Sequence, residues 1–332
     1  MEYKNTYNNL NDTEVWRYGD TEERLFSKSS LNEIPQQLQT CIDLTHPTYS
    51  NDNRSADTAL SQPYRSIALS PNKSPVAFFD SGVGGLTVFN KFKKLLPNEN
   101  CLYFGDTKNM PYGEKTEEQL LEYADNIFKF FETKGAKAVI MACNTTSAVT
   151  YEKLKNNYSF KIYPIIQSVC KELANLPDVK KLGIIATPAT VKSRAYSKEI
   201  SKYNSKVEVS ELSAPNWVRI VEEHRIYQPQ SIEQVKEILD IMSDFAPDKI
   251  VLACTHYPYL IDVLKKFMPE DMFIDPAENF ARIIKDDLTE NNMLNDKFEY
   301  EKFFVSDNPE NFKEAAKMFY EQGCLPEVIN FG

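Results

Sequence analysis

Two distant stretches of this chain end in the same way. Val139-Ile140-Met141-Ala142-Cys143-Asn144-Thr145 and Ile250-Val251-Leu252-Ala253-Cys254-Thr255-His256 are each an apolar run that closes on Ala-Cys and then turns polar before a helical pattern. Upstream of each lies another apolar run ending in a polar turn, residues 76–79 into Asp80-Ser81-Gly82 and residues 183–186 into Thr187-Pro188. The intervals from turn to cysteine nearly match, 63 residues (80 to 143) and 67 residues (187 to 254). A period of this size belongs to the halves of a fold, not to a solenoid. The repetition predicts two related halves, each delivering one cysteine to a shared cleft.

The surrounding pattern names the architecture. Short apolar runs at residues 76–79, 101–104, 138–141, 162–166, 182–186, 250–253 and 272–274 alternate with helix-length amphipathic stretches at 117–133, 189–203, 232–245 and 257–267. Strand, helix, strand, helix is the signature of a parallel sheet covered on both faces. The expected fold class is therefore α/β, with two pseudo-symmetric parallel-sheet domains and the active site in the cleft between them. Ligands of open α/β sheets sit beyond the C-terminal ends of the strands. Residues 1–74 differ, being rich in Asn, Ser, Thr, Gln and charge, with prolines at His46-Pro47 and Ser70-Pro71. They read as a weakly ordered or regulatory extension, with partial helix around 33–44. The first domain is then expected over 75–163 and the second over 164–275.

Composition closes several doors. At 332 residues and 42% hydrophobic, the chain has enough apolar surface for a substantial core. A net charge of -10, from 48 acidic and 38 basic residues, argues against a nucleic-acid partner, which needs a basic face. No apolar run reaches the length of a membrane span, and MEYKNTYNNLNDTEVW lacks the pattern of a secretory signal. The expected setting is the cytosol, away from any membrane. Six cysteines without CxxC spacing are expected to be reduced thiols.

A cysteine at a strand end, just before a helix, meets free backbone N–H groups and the helix's positive pole. That setting is expected to favour the thiolate. One such cysteine reads as a small buried hydrophobe; two in matched settings read as a pair of reactive groups. A metal site built from Cys143, Cys254 and His256 lacks ligand spacing, and no metal is expected. Gly82-Val83-Gly84-Gly85 misses the dinucleotide fingerprint because Thr87 stands where its last glycine should be. Two opposed thiols suit racemisation at a carbon acid, in which one group takes a proton from one face and the other returns a proton to the opposite face. No cofactor is needed.

From about Pro75 onward the chain resembles bacterial glutamate racemase of the aspartate/glutamate racemase superfamily. The resemblance rests on residues 79–88 (Phe-Asp-Ser-Gly-Val-Gly-Gly-Leu-Thr-Val), Gly105-Asp106 followed by residues 109–113, Ala142-Cys143-Asn144-Thr145, and residues 253–258 (Ala-Cys-Thr-His-Tyr-Pro). It implies cofactor-independent interconversion of L- and D-glutamate, with D-glutamate supplied for peptidoglycan and cell shape. Cys143 would serve the D-face and Cys254 the L-face, with Asp80 supporting the first thiol and His256 the second. Asp80, Ser81, Pro111, Tyr112, Gly113, Asn144, Thr145, Thr255 and His256 would bind substrate, and Glu222 resembles an acidic residue placed near the second thiol. The segment 276–332 would return to the first domain, and a homodimer is one assembly open to the family. Rival readings are a racemase of aspartate or another acidic amino acid, and a catalytically weak ligand-binding paralogue. One departure is Gln167, in Pro164-Ile165-Ile166-Gln167-Ser168, where the family has glycine. It is expected beside the pocket wall, where it would bear on substrate fit.

Overall fold

The computed structural model describes residues 73–331 together with two backbone strands nearer the N-terminus. The chain divides into two compact units, Met1–Asp57 and Thr58–Gly332. The first holds strands β1 (Thr13–Tyr18) and β2 (Glu22–Ser27), which pair antiparallel with Thr13 opposite Ser27. This hairpin was not anticipated from sequence. Its signal is the pair of β-rich runs, Val15-Trp16 and Leu25-Phe26, on either side of Gly19, hidden in a polar surrounding. The helix expected around 33–44 lies outside the described residues.

The second unit carries β3 (Val76–Asp80), β4 (Cys101–Gly105), β5 (Ala138–Met141), β6 (Lys161–Pro164), β7 (Lys181–Ala186), β8 (Glu208–Ser213), β9 (Lys249–Ala253), β10 (Phe273–Ile274), β11 (Glu301–Val305) and β12 (Glu327–Val328). They form two sheets, in the orders β12-β11-β4-β3-β5-β6 and β10-β9-β7-β8, with every pairing parallel. Each sheet therefore contains four successive strands whose spatial order is second, first, third, fourth. The same topology appears twice. In both sheets the first and third strands are neighbours that diverge into different connections, and such a switch point is where an α/β sheet opens a crevice.

Burial explains why these segments are strands. β3, β4 and β5 are buried along their whole length and read as continuous apolar runs, as strands covered on both faces must. Helix Glu117–Thr133 lies over the first sheet with Leu120, Ala124, Ile127, Phe128 and Phe131 inward, the spacing of one helical face. Burying each large side chain contributes about 1.5–3 kcal/mol. A capping box, Thr116 with Gln119, starts this helix by satisfying two otherwise unpaired N–H groups.

Several boundaries moved from their expected places. β6 stops at Pro164, and Ile165 and Ile166 begin helix Ile165–Leu173 instead of extending the strand. The stretch 189–203 breaks at Arg194, whose φ of 54° ends helix Pro188–Ser193 before helix Ala195–Tyr203 starts. The stretch 257–267 holds a short 3₁₀ turn, Tyr257–Leu260, and one helical turn, Ile261–Leu264. β8 went unrecognised because it is an edge strand, only half-buried, with no continuous apolar run. β11 and β12 add to the first sheet beside β4. Their segment is also tied in by a buried ion pair, Lys137 to Glu99 at 2.7 Å, with the Asn295 N–H donating to Glu99 at 2.6 Å. Among the described residues no helix is long and apolar enough to cross a membrane, and Cys101, Cys143, Cys170 and Cys254 are free thiols.

Candidate active site

The two switch points face each other across one cavity of about 40 Å³, whose wall includes Cys143 and Cys254. Each sulfur follows the third strand of its half: Cys143 just past β5, Cys254 just past β9. Each residue is only 7% exposed. The neighbouring first strands end at Asp80 and at Ala186, so the sequence repeat is a repeat of position in space.

The two thiols sit in opposite electrostatic settings. Asp80 is fully buried and accepts from the Gly82 N–H at 3.0 Å. Burial pushes the Asp80 pKa up, while the His256 charge and the N–H groups of Gly82 and Gly85 pull it down. Burial, reinforced by the Asp80 charge, pushes the Cys143 thiol up to about 12, against the opposing pull of the Thr146 N–H. The expected lowering of this thiol's pKa by its helix N-terminus therefore does not hold for Cys143. Desolvation and a nearby carboxylate outweigh the helix, and Cys143 is a thiol at neutral pH.

On the other side, Cys254 Sγ lies 3.7 Å from His256 Nδ1, and His256 Nε2 donates to Glu222 Oε1 at 2.8 Å. Burial opposes an imidazolium at His256, yet the Glu222 carboxylate and the Cys254 sulfur hold its pKa well above the ordinary value. Cys254 thus faces a cation. Gly84 makes this contact between halves feasible: a Cβ there would stand 2.4 Å from Thr255 Oγ1 and 2.5 Å from His256 Cε1. The glycine-rich turn, which is no dinucleotide loop, is what lets β3's end approach the imidazole.

Ser81, Pro111, Tyr112, Gly113, Asn144 and Thr145 all line the cavity. So do Thr255 and His256. Asp80 and Glu222 do not; they stand behind the wall, acting on the lining groups through charge and hydrogen bonds. The Tyr112 hydroxyl is already committed, donating to Asp106 Oδ2. Asn144 Nδ2 is buried without a protein partner, a donor left for a ligand. Gln167 lies off the cavity wall; Ser147 donates to its Oε1 at 2.9 Å, linking helix Asn144–Leu154 to the helix that follows β6. The glycine-to-glutamine departure is thus a helix-packing feature.

The cavity also includes residues not singled out from sequence. Thr187 is one, its Oγ1 2.9 Å from Thr145 Oγ1, joining the two halves. Its signal was present, since it directly follows the first strand of the second half, as Ser81 does in the first. Arg219 is another, paired with Glu114 at 3.0 Å at the cavity. Arg219 lies on the helix that carries Glu222, Trp217–Glu222, but no sequence motif marked it.

Comparison with known proteins agrees with this geometry. The family model described as Asp/Glu/Hydantoin racemase matches residues 87–283. A glutamate racemase of Trichodesmium erythraeum is 36% identical over 255 residues, covering 76% of this chain and 93% of that protein. One of Thermoanaerobacter sp. is 36% identical over 246 residues, covering 74% and 92% respectively. The crystal structure of a glutamate racemase from Francisella tularensis in complex with D-glutamate superposes with a TM-score of 0.73 at 31% identity, covering 78% of this chain and 98% of that one.

Proposed function

Since the chain belongs to the glutamate racemase family and interconverts the enantiomers of glutamate, we propose that it moves the α-proton between Cys143 and Cys254. The observation that carries the mechanism is the placement of both thiols on one cavity wall, at equivalent strand ends of the two halves. In the L-to-D direction, the Cys254 thiolate beside imidazolium His256 removes the α-proton, forming S–H and leaving the electron pair on the α-carbon. The Cys143 thiol then gives its proton to the opposite face. In the reverse direction the roles exchange, and Cys143 must first lose its proton. Asp80, with a carboxylate pKa already pushed up, is the group suited to take it.

Cys143, kept protonated by its burial and by Asp80, suits the acid role of the L-to-D direction. Asn144 Nδ2 and the N-terminus of helix Asn144–Leu154 supply donors for a substrate carboxylate. We extend the reading to a cytosolic enzyme supplying D-glutamate for peptidoglycan. Chiral assay of the purified protein with L- and D-glutamate and with aspartate, without added cofactor, tests the activity. Growth of a D-glutamate auxotroph expressing this chain tests the physiological role. Activity on aspartate alone, or failure to restore growth, would overturn the corresponding half of the proposal.

A further inference from the structure

Asn144 sits where a primary amide has a choice. It is the first residue of helix Asn144–Leu154, lines the cavity and is 3% exposed. One end of an amide accepts hydrogen bonds and the other donates them, and the two ends have nearly the same shape. The end turned to the cavity decides whether the site offers a carboxylate a donor or a repelling oxygen.

The neighbour that makes the choice comes from the other half of the molecule. Tyr196, in helix Ala195–Tyr203, is fully buried, and its hydroxyl donates to Asn144 Oδ1 at 2.7 Å. With the amide turned this way, the phenol proton has its acceptor and Nδ2 remains without a protein partner. With the amide reversed, Nδ2 would donate to the hydroxyl oxygen. The buried phenol proton would then lose its acceptor, and Oδ1 would take up the unpartnered position. Leaving such a donor unsatisfied costs the desolvation of a buried polar group with nothing in return, enough to make the first arrangement dominate. Burial also pushes the Tyr196 pKa well above its ordinary value, so the group stays a phenol and keeps its proton to donate.

We infer that Tyr196 is a positioning residue of the racemase reaction: across the boundary between the halves, it orients the Asn144 amide so that its NH₂ end reads a carboxylate of the substrate. The inference rests on the proposed reading of the cleft as a glutamate site. Because the hydroxyl acts through Asn144 and not on the reacting carbon, its loss should fall on binding and spare the proton transfers.

A double-mutant cycle on the full chain tests this, using Tyr196→Phe, Asn144→Ala and their combination, with kcat, KM for each glutamate enantiomer, and Tm measured for all. Tyr196→Phe should raise KM about tenfold, the scale of one hydrogen bond to a charged group, with a much smaller change in kcat. In the Asn144→Ala background the same substitution should have almost no further effect, since the two residues act as a unit. An unchanged KM in Tyr196→Phe, or effects of the two substitutions that simply add, would overturn the inference. Should Tyr196→Phe fail to fold, Asn144→Asp takes its place. It keeps an acceptor for Tyr196 but turns an oxygen to the cavity, so KM should rise at least as far; an unchanged KM there would sink the idea equally. If the parent protein itself fails to racemise glutamate, the reading of the cleft falls. If the parent is active and only these variants disagree, the role of Tyr196 alone falls.

Discussion

The two halves share a topology yet prepare their cysteines in opposite ways. The first half buries Cys143 and sets a carboxylate, Asp80, beside it, which together keep it a thiol; the second sets a Glu222-supported imidazolium 3.7 Å from Cys254. A racemase needs one acid and one base at any moment. Duplicated backbone with unduplicated side chains meets that need: β3 and β7 occupy equivalent places, but one ends in aspartate and the other in Ala186 followed by Thr187. Symmetry supplies the opposition of the two sulfurs, and its local breaking supplies their unlike surroundings.

The harshest test of that pairing is to remove one sulfur at a time. Cys143→Ala and Cys254→Ala should each lower kcat/KM for both enantiomers by about 10³-fold or more, at the upper end for a single acid–base group. Serine at either position should do little better, its hydroxyl being far less acidic than a thiol. Near-normal turnover by either alanine variant, in a chiral assay, would break the comparison outright.

Next come the groups that make the halves unlike. Glu222→Gln removes the carboxylate that holds the His256 pKa up, so the imidazolium should be lost at lower pH than in the parent. The alkaline limb of the L-to-D rate should move to lower pH, with activity at neutral pH down about tenfold, the scale of one hydrogen bond to a charged group. An unmoved limb would mean that His256 does not set the state of Cys254.

Asp80→Asn probes the other side. It removes the charge that reinforces burial at Cys143, so the pH midpoint for alkylation of that thiol should fall from near 12. The sign for stability also follows. A carboxyl whose folded pKa is raised contributes stability below its unfolded pKa and loses it as pH rises through the folded value. Asp80→Asn should therefore raise Tm relative to the parent at pH 7 more than at pH 3, while lowering turnover. Thermal melts at the two pH values, alongside the alkylation profile, decide it.

The smallest effect is expected far from either thiol. A chain shortened to begin at Asn72 should keep turnover within about a factor of two, because every residue that builds the cavity lies beyond Pro75. An inactive shortened chain would make residues 1–71 part of the catalytic unit.

Much of this asymmetric pair was legible in the linear chain, for a physical reason. Strands buried on both faces must be continuously apolar, so β3, β5, β7 and β9 announced themselves, and the cysteines at two of their ends came with them. What stayed hidden depended on partners remote in sequence. β8 at a sheet edge needs no apolar run, and Arg219 reaches the cavity with no motif of its own around it. The high pKa of Cys143 follows from its burial against Asp80, which a local helix-terminus argument omits. Gln167 misled for the complementary reason: its identity is striking beside a family pattern, but its side chain is spent on Ser147.

The position of β11 has a consequence for how a ribosome delivers this protein. β11 pairs with β4, yet Glu301 emerges 196 residues after Gly105 (105 to 301). At roughly 5–20 residues per second, the apolar edge of β4 waits on the order of 10–40 s for its neighbour. Both cysteines are translated within that interval. A message cut short after Glu290 would therefore yield a chain holding both cavity cysteines and an uncovered strand edge, which is a template for pairing with other nascent chains. Such a product should sediment with the insoluble fraction when expressed, and premature termination here should cost the cell more than the loss of one enzyme.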